Sequence, residues 1–427
     1  LFTPEQFLAS GLSAHFGGLN IARVLAYAFN AVEPGVAVKK YLRETPLPFG
    51  RRTFAFGLGK ASCAMIQSLA DEVPLVDSLV ITKHASSLIV EPVTVIEGDH
   101  PIPGLASLRA GNTAINFFSQ LNKDDLLLCL MSGGGSALMA APRISLADLQ
   151  ALTTALLACG ARIDEINTLR RHLDHLKGGG LVRLTSGARV VGLLLSDVVG
   201  DTLESIASGP TVPDPTTLAD SISIIEKYGL RNKIPASIVP ALTETLKPDD
   251  PIFKKVQNTI IASNFIALKS AQAQAGFLGF HTRIIHTSLQ GEARDVGKQL
   301  ALQLKESLQT MQRPFCLLAG GETTVTINGN GKGGRNQELA LAAVDVLADL
   351  ENVLLVSIAT DGEDGPTDAA GAFVTGKTAQ RAESLGLYAA DYLLKNDAYS
   401  YFEKIDHLLK VGPSGTNVND LVLCFAF

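Results

Sequence analysis

The chain is built from short apolar runs that stop abruptly in glycine and polar residues. Thr53-Phe54-Ala55-Phe56 opens into Gly57-Leu58-Gly59-Lys60-Ala61-Ser62, and Leu126 through Met131 into Ser132-Gly133-Gly134-Gly135-Ser136. Val190 through Leu195 gives way to Ser196-Asp197, Phe315 through Ala319 to Gly320-Gly321-Glu322-Thr323-Thr324, and Val353 through Ala359 to Thr360-Asp361-Gly362. Uninterrupted runs of this kind mark strands covered on both faces, as in a parallel sheet. Between them the spacing turns helical. Ser145-Leu146-Ala147-Asp148 has the form of a capping box ahead of Leu149, Leu152 and Leu156. Ile163, Ile166, Leu169, Leu173 and Leu176 line one face of a second helix, which stops at Gly178-Gly179-Gly180. Residues 5 to 45 carry Phe7, Leu12, Ile21, Val24, Leu25 and Ala28 at helical spacing and read as a packing pair without chemistry. Val325-Thr326-Ile327 predicts a short strand, followed by a glycine loop and a helix beginning near Arg335. The alternation predicts an α/β protein, and in open α/β sheets ligands bind where strands end.

Composition narrows this picture. At 427 residues the chain has room for two or three domains, on a prior of roughly 100 to 200 residues each. The polar connector that ends near Pro251 divides it into domains 1–250 and 251–427. A net charge of −6 argues against a nucleic-acid surface or an anionic membrane as partner. The five cysteines are widely spaced and mostly sit in apolar runs, which suits reduced thiols in a cytoplasmic protein better than disulfides or zinc. No apolar run approaches the roughly 18 residues of a membrane span. The opening Leu1-Phe2-Thr3-Pro4-Glu5-Gln6 is too polar for a signal peptide, and the missing Met suggests that the native start lies elsewhere.

The loops at the strand ends hold the chemistry. Ser132-Gly133-Gly134-Gly135-Ser136 presents unhindered amides and two hydroxyls, which suits a phosphoryl group, although the lysine of a P-loop is absent. Gly320, Gly321 and Thr323, with Gly333 and Gly334, form a second such cradle; the free amides of the helix start beside Arg335 favour an anion. Lys60 at its turn is either solvated or a point charge for phosphate. His100, between Asp99 and a proline turn, fits a hydroxyl or carboxylate ligand or a capped loop. Asn167, Arg170, Arg171, Asp174 and Lys177 form a polar stripe, either a wet surface or a cleft border. Asp197 after its strand is placed for a base or a magnesium contact, or merely caps a turn. Asp361, Asp364 and Asp368 resemble a hard-cation site but lack the EF-hand ligand order. Two anion cradles, the cations Lys60 and Arg335, and carboxylates at Asp197, Glu322 and Asp361 are the inventory that phosphoryl transfer requires.

Five segments, taken in order, closely resemble the glycerate 2-kinase family. They are Ser132 to Leu138, Ser196-Asp197-Val198 with Ile206 to Thr216, Gly320 to Thr324 with Gly333 to Glu338, Asp361-Gly362 with Asp364 to Asp368, and Gly415-Thr416-Asn417-Val418. The C-terminal part of this family is called the MOFRL domain, and its members were formerly labelled hydroxypyruvate reductases. The resemblance spans nearly the whole chain. It implies two α/β/α domains, an N-terminal Rossmann-like parallel sheet and a C-terminal mixed sheet, with the active site in the cleft between them. It also implies conversion of D-glycerate to 2-phospho-D-glycerate with ATP and Mg2+, and it matches the family's catalytic lysine and arginine to Lys60 and Arg335. We add Asp197 as general base, Asp361 or Glu322 for magnesium, and His100, Arg170 and Asn336 for substrate. Ser414 stands where the family commonly has threonine. A homodimer is left open.

Two rivals remain, a hydroxypyruvate reductase and a non-catalytic sensor of a phosphorylated metabolite. The first is disfavoured because a complete Gly-x-Gly-x-x-Gly with a ribose-binding acid is missing. Mixing the protein with NADH and hydroxypyruvate is therefore expected to leave the NADH absorbance unchanged; a steady decay would favour the reductase.

Overall fold

The structure is a computed structural model that describes residues 1–8, 10–85 and 91–427. Position 9, inside the expected N-terminal helical stretch, lies outside the described residues. The chain forms two compact units, one of Pro34–Ile261 and one of Leu1–Glu33 with Ala262–Phe427. This differs from a division at residues 250 and 251 in two respects, and each has a local cause.

The unit Pro34–Ile261 is organised on a six-stranded sheet. Its strands are β1 (Thr53–Leu58), β2 (Asp77–Thr82), β3 (Thr94–Glu97), β4 (Leu126–Met131), β5 (Arg189–Leu195) and β6 (Val256–Ala262), in the order β3-β2-β1-β4-β5-β6. β1 pairs in parallel with both β2 and β4, and β2 with β3 and β4 with β5 do the same. The strand order reverses at β1 and β4, so their carboxyl ends lie side by side with the outgoing chains leading apart, the place where such sheets bind ligands. The apolar runs explain the burial, since β4 is buried at every residue. Phe54, Phe56, Leu127, Cys129 and Val190 share a core with Phe117 and Phe118 of the helix Leu105–Phe118. A second core, built on Leu152, Leu156, Ile166, Leu169 and Ile225, joins the helices Leu146–Ala158, Ile163–His172 and Leu218–Lys227. Ser145 accepts from the Asp148 amide at 3.1 Å, as the capping-box pattern requires.

β6 belongs with this sheet, although sequence spacing placed it at the start of the second domain. Asn258 ties it down, donating to the Thr211 carbonyl at 3.0 Å and accepting from the Thr211 hydroxyl at 2.8 Å. Gly192 of β5 faces the same amide, and a Cβ there would overlap it.

The other unit carries β7 (His281–Leu289), β8 (Phe315–Gly321), β9 (Val353–Ala359), β10 (Gly371–Thr375), β11 (Leu408–Leu409) and β12 (Asp420–Ala426). The sheet is mixed, in the order β11-β10-β9-β12-β8-β7: β7 and β8 are parallel, and every other pair is antiparallel. The first 33 residues pack here through specific contacts. Thr416 Oγ1 donates to the Val32 carbonyl at 2.8 Å, Ser270 Oγ to that of Tyr27 at 2.9 Å, and the Gly11 amide to that of Asp406 at 3.1 Å. The helical stretch expected over residues 5 to 45 includes the helices Gly18–Ala31 and Pro34–Glu44, but the break between them is where the chain passes from one unit to the other. The strand expected at Val325–Ile327 does not form. Its groups bond elsewhere: the Thr326 amide and hydroxyl to the Glu292 carboxylate, the Asn328 and Gly329 amides to Asn396 Oδ1. Among the described residues no single helix is long and apolar enough to cross a membrane.

Gly192→Ala should destabilise the first unit by about 1 to 3 kcal/mol by forcing Asn258 from its seat. Urea unfolding checks this, and an unchanged midpoint would mean that the β5 and β6 contact can relax.

Candidate functional site

In the unit Pro34–Ile261 four sequence-selected groups meet at the carboxyl ends of β1 and β4. The β1 and β4 turns are tied together, the Lys60 amide donating to the Gly133 carbonyl at 3.1 Å and the Ala61 amide to Ser132 Oγ at 3.0 Å. Gly133 packs so closely on the carboxyl group of Asp197, just beyond β5, that a Cβ would overlap it. Gly134 has a φ of 87°, and the space where its side chain would begin lies 3.3 to 3.5 Å from the His100 ring and 3.5 Å from Lys60 Cε. Lys60, His100 and Asp197 thus surround one glycine turn.

The electrostatics are those of a reactive site. Burial pushes the Asp197 carboxyl above the usual range, opposed by the nearby Lys60 charge. Burial, then Lys60 and Lys83, lower the His100 pKa and favour its neutral form. Lys60 is exposed and takes no ion-pair partner among the described residues.

The remaining loop residues divide by function. Ser132 is buried, and its hydroxyl oxygen accepts from the Ala61 amide, which fixes the loop. Gly135 is there for packing, since a Cβ would come 2.7 Å from that of Ala207. Ser136 bonds Ser208 Oγ at 2.8 Å and lines a crevice with Arg170, Pro103, Leu149 and Lys177. The polar stripe is no wet surface. Its helix ends at His172, Asn167, Arg171, Asp174 and Lys177 are buried, and the pairs Arg171–Asp214 and Lys177–Asp174 are internal ties. Arg170 differs, because burial lowers its pKa and it forms no ion pair among the described residues.

In the unit Leu1–Glu33 with Ala262–Phe427, the expected anion cradle is largely occupied by the protein itself. The helix Arg335–Leu347 does start after Gly334, but the Asp364 carboxylate accepts from the Asn336 amide at 3.0 Å and the Gln337 amide at 2.8 Å. Gly334 is what lets it in, since a Cβ there would overlap Asp364. Gly333 borders Ala398, and Gly320 closes on the Asn264 amide. Thr323 is buried, and Gly321 ends β8 with a φ of 148°. Asn336, expected to meet substrate, is 1 % exposed, donates to Asp364 at 3.3 Å and accepts from Ser357 Oγ at 2.7 Å. It is a structural amide.

Arg335 holds two carboxylates, Glu322 at 2.8 Å and Asp420 in a fork at 2.6 and 3.0 Å. Burial pulls its pKa down, but Asp420 and Glu322 outweigh that and raise it, so the guanidinium stays charged. Glu322 is therefore an ion-pair partner here. The three loop aspartates separate: Asp364 caps the helix, Asp368 joins Lys410 and Tyr399, and Asp361 forms neither a helix cap nor an ion pair among the described residues. Among the described residues no group of three or more His, Cys, Asp or Glu side chains is arranged for a metal ion. Asp364, read as part of a hard-cation loop, is a helix cap instead, and the grip of Asp420 on Arg335 escaped the sequence reading. Asp420 carried only a faint signal, as the polar residue opening the apolar run Leu421 to Phe427.

Residues 20–243 match the domain of unknown function DUF4147, and residues 315–420 match the MOFRL family. The chain is 41% identical over 386 residues to the glycerate 2-kinase of Pyrococcus horikoshii, covering 87% of each. It is 39% identical over 409 residues to the D-glycerate 2-kinase of Thermotoga maritima, covering 94% of this chain and 96% of that one. The chain belongs to the glycerate kinase family. A crystal structure of a glycerate kinase from Thermotoga maritima superposes with a TM-score of 0.89, covering 95% of this chain and 98% of that one. The α/β architecture, a parallel sheet in one unit and a mixed sheet in the other, is thus that of a glycerate kinase family member.

Burial pushes Asp364 up to about 6, ahead of the opposing pull of the two amides. Between an unfolded value near 3.8 and this one, the native state holds a proton that the unfolded chain has released. Its contribution to stability is therefore greatest below that window and is lost as pH rises through about 6. Denaturant titrations of wild type and Asp364→Asn should differ by this falling slope, and parallel profiles would refute it. Asp364→Ala should cost about 1 to 3 kcal/mol, because two helix amides lose their acceptor.

Proposed function

We propose that the chain is an ATP-dependent glycerate 2-kinase, converting D-glycerate to 2-phospho-D-glycerate. The observation that carries this reading is the convergence of Lys60, His100 and Asp197 on the Gly133–Gly134 turn at the strand-order reversal, in a member of a family whose named relatives are glycerate kinases. Asp197, its basicity raised by burial, takes the proton of the glycerate 2-hydroxyl. The hydroxyl oxygen forms a bond to the γ-phosphorus as the bond to the bridging oxygen of the departing ADP breaks. Lys60 and Arg335, which match the family's lysine and arginine, are assigned to the charge on the transferred group. Neutral His100 hydrogen-bonds the acceptor, and the uncompensated Arg170 guanidinium suits its carboxylate. Gly133 and Gly134 admit the phosphoryl group close to the backbone.

Magnesium commonly takes one or two protein carboxylates and completes its shell with phosphate oxygens and water. Asp361 fits that mode: one carboxyl oxygen accepts from the Glu363 amide at 3.2 Å, and no cation competes among the described residues. When bound, the ion would neutralise charge on the phosphate oxygens. Metabolite substrates and free cysteines fit a cytoplasmic setting.

Phosphorus NMR of a mixture with ATP, magnesium and D-glycerate is expected to show a phosphomonoester on the 2-position together with ADP. Absence of nucleotide consumption would favour the sensor instead. Lys60→Ala and Asp197→Asn should each lower kcat by about 10²- to 10⁴-fold. Wild-type turnover should fall on the acid side as Asp197 takes up a proton. An Asp197→Asn enzyme with undiminished turnover and the same acid limb would remove Asp197 as the base.

A further inference from the structure

The two carboxylates on Arg335 are unlike. Asp420 opens β12 between Gly321 of β8 and Ala359 of β9; its side chain is 7% exposed and grips Nε and Nη2 together. A fork of this kind fixes both position and orientation. Glu322 stands one residue past β8 with its side chain 41% exposed, and Arg335 Nη1 is its one hydrogen-bond donor among the described residues. Single-point, half-exposed pairs are weak. Asp364 adds a further negative charge felt by the same guanidinium. One cation thus faces more than one carboxylate, and an arriving anion is repelled unless one of them yields. Asp420 is locked in the middle of the sheet. Glu322 is free to turn outward.

We propose that Glu322 is an internal stand-in for an anionic ligand, occupying the outward nitrogen of Arg335 until a phosphoryl group displaces it, while Asp420 is the positioning residue that holds the guanidinium ready. The inference rests on the assignment of Arg335 to the transferred group and deepens it. Glu322 lowers affinity and keeps the arginine from holding adventitious anions; Asp420 sets the direction in which the freed nitrogen points.

Glu322→Gln keeps the size of the side chain and removes its charge. With inorganic phosphate as the probe, without magnesium, calorimetry on the full chain is expected to give about five-fold tighter binding than wild type, equivalent to about 1 kcal/mol. The gain should vanish when Arg335→Ala is added. Unchanged or weaker phosphate binding overturns the proposal, as does a gain that survives the loss of Arg335. A magnesium role for Glu322 instead leaves phosphate binding unchanged and raises the magnesium concentration that ATP binding requires. Asp420→Asn is expected to lower kcat at least ten-fold while KM moves less than three-fold; equal changes in both, tracking a lowered Tm, would reduce Asp420 to a structural residue. Because phosphate binding needs no turnover, a wild type that fails to phosphorylate glycerate sinks the kinase reading and leaves this measurement decisive for Glu322.

Discussion

In each unit the functional edge depends on a carboxylate reaching a backbone that has no Cβ in the way. Asp197 lies against Gly133, and Asp364 against Gly334. A methyl group at either position would overlap the carboxyl group it faces, so these glycines are fixed by their neighbours. The two contacts have different consequences. At Gly133 the carboxylate is crowded, and burial raises its pKa against its backbone hydrogen bond and the Lys60 charge. At Gly334 the carboxylate is spent on helix amides and turns what would be an anion site into a closed cap.

The same contrast runs through the cations. Lys60 and Arg170 form no ion pair among the described residues. Arg335 is engaged by two carboxylates. A desolvated, unpaired guanidinium is costly to keep. A guanidinium held between carboxylates costs little in the resting state and gives up part of its affinity for selectivity.

Much of this was legible in the residues. Continuous apolar runs ending in glycine marked β1, β4, β5, β8 and β9, because a strand buried on both faces leaves no alternation to misread. Of the loops beyond them, those of β1, β4 and β5 bring Lys60, Gly133 and Asp197 together with His100. What sequence spacing misjudged was occupancy. A glycine before a helix signals free amides, but whether a side chain nearly thirty positions away fills them depends on tertiary contacts that local pattern does not encode, and Asp364 fills them. Asn336 looks like a ligand donor for the same reason, and its amide is consumed internally. Val325 to Ile327 has the composition of a strand, but Glu292 and Asn396 supply the partners that a neighbouring strand would have offered.

The position of β12 bears on how the protein is assembled. It is reached last along the chain, yet it lies between β8 and β9, and its first residue grips Arg335. Residues 34–261 can therefore collapse around their own sheet while translation continues. The flanking unit, holding residues from both ends of the sequence, has a gap down the middle until the ribosome has delivered Asp420 to Ala426. Until then Phe315 to Gly321 and Val353 to Ala359 each present an unpaired apolar edge, the kind of surface that chaperones bind.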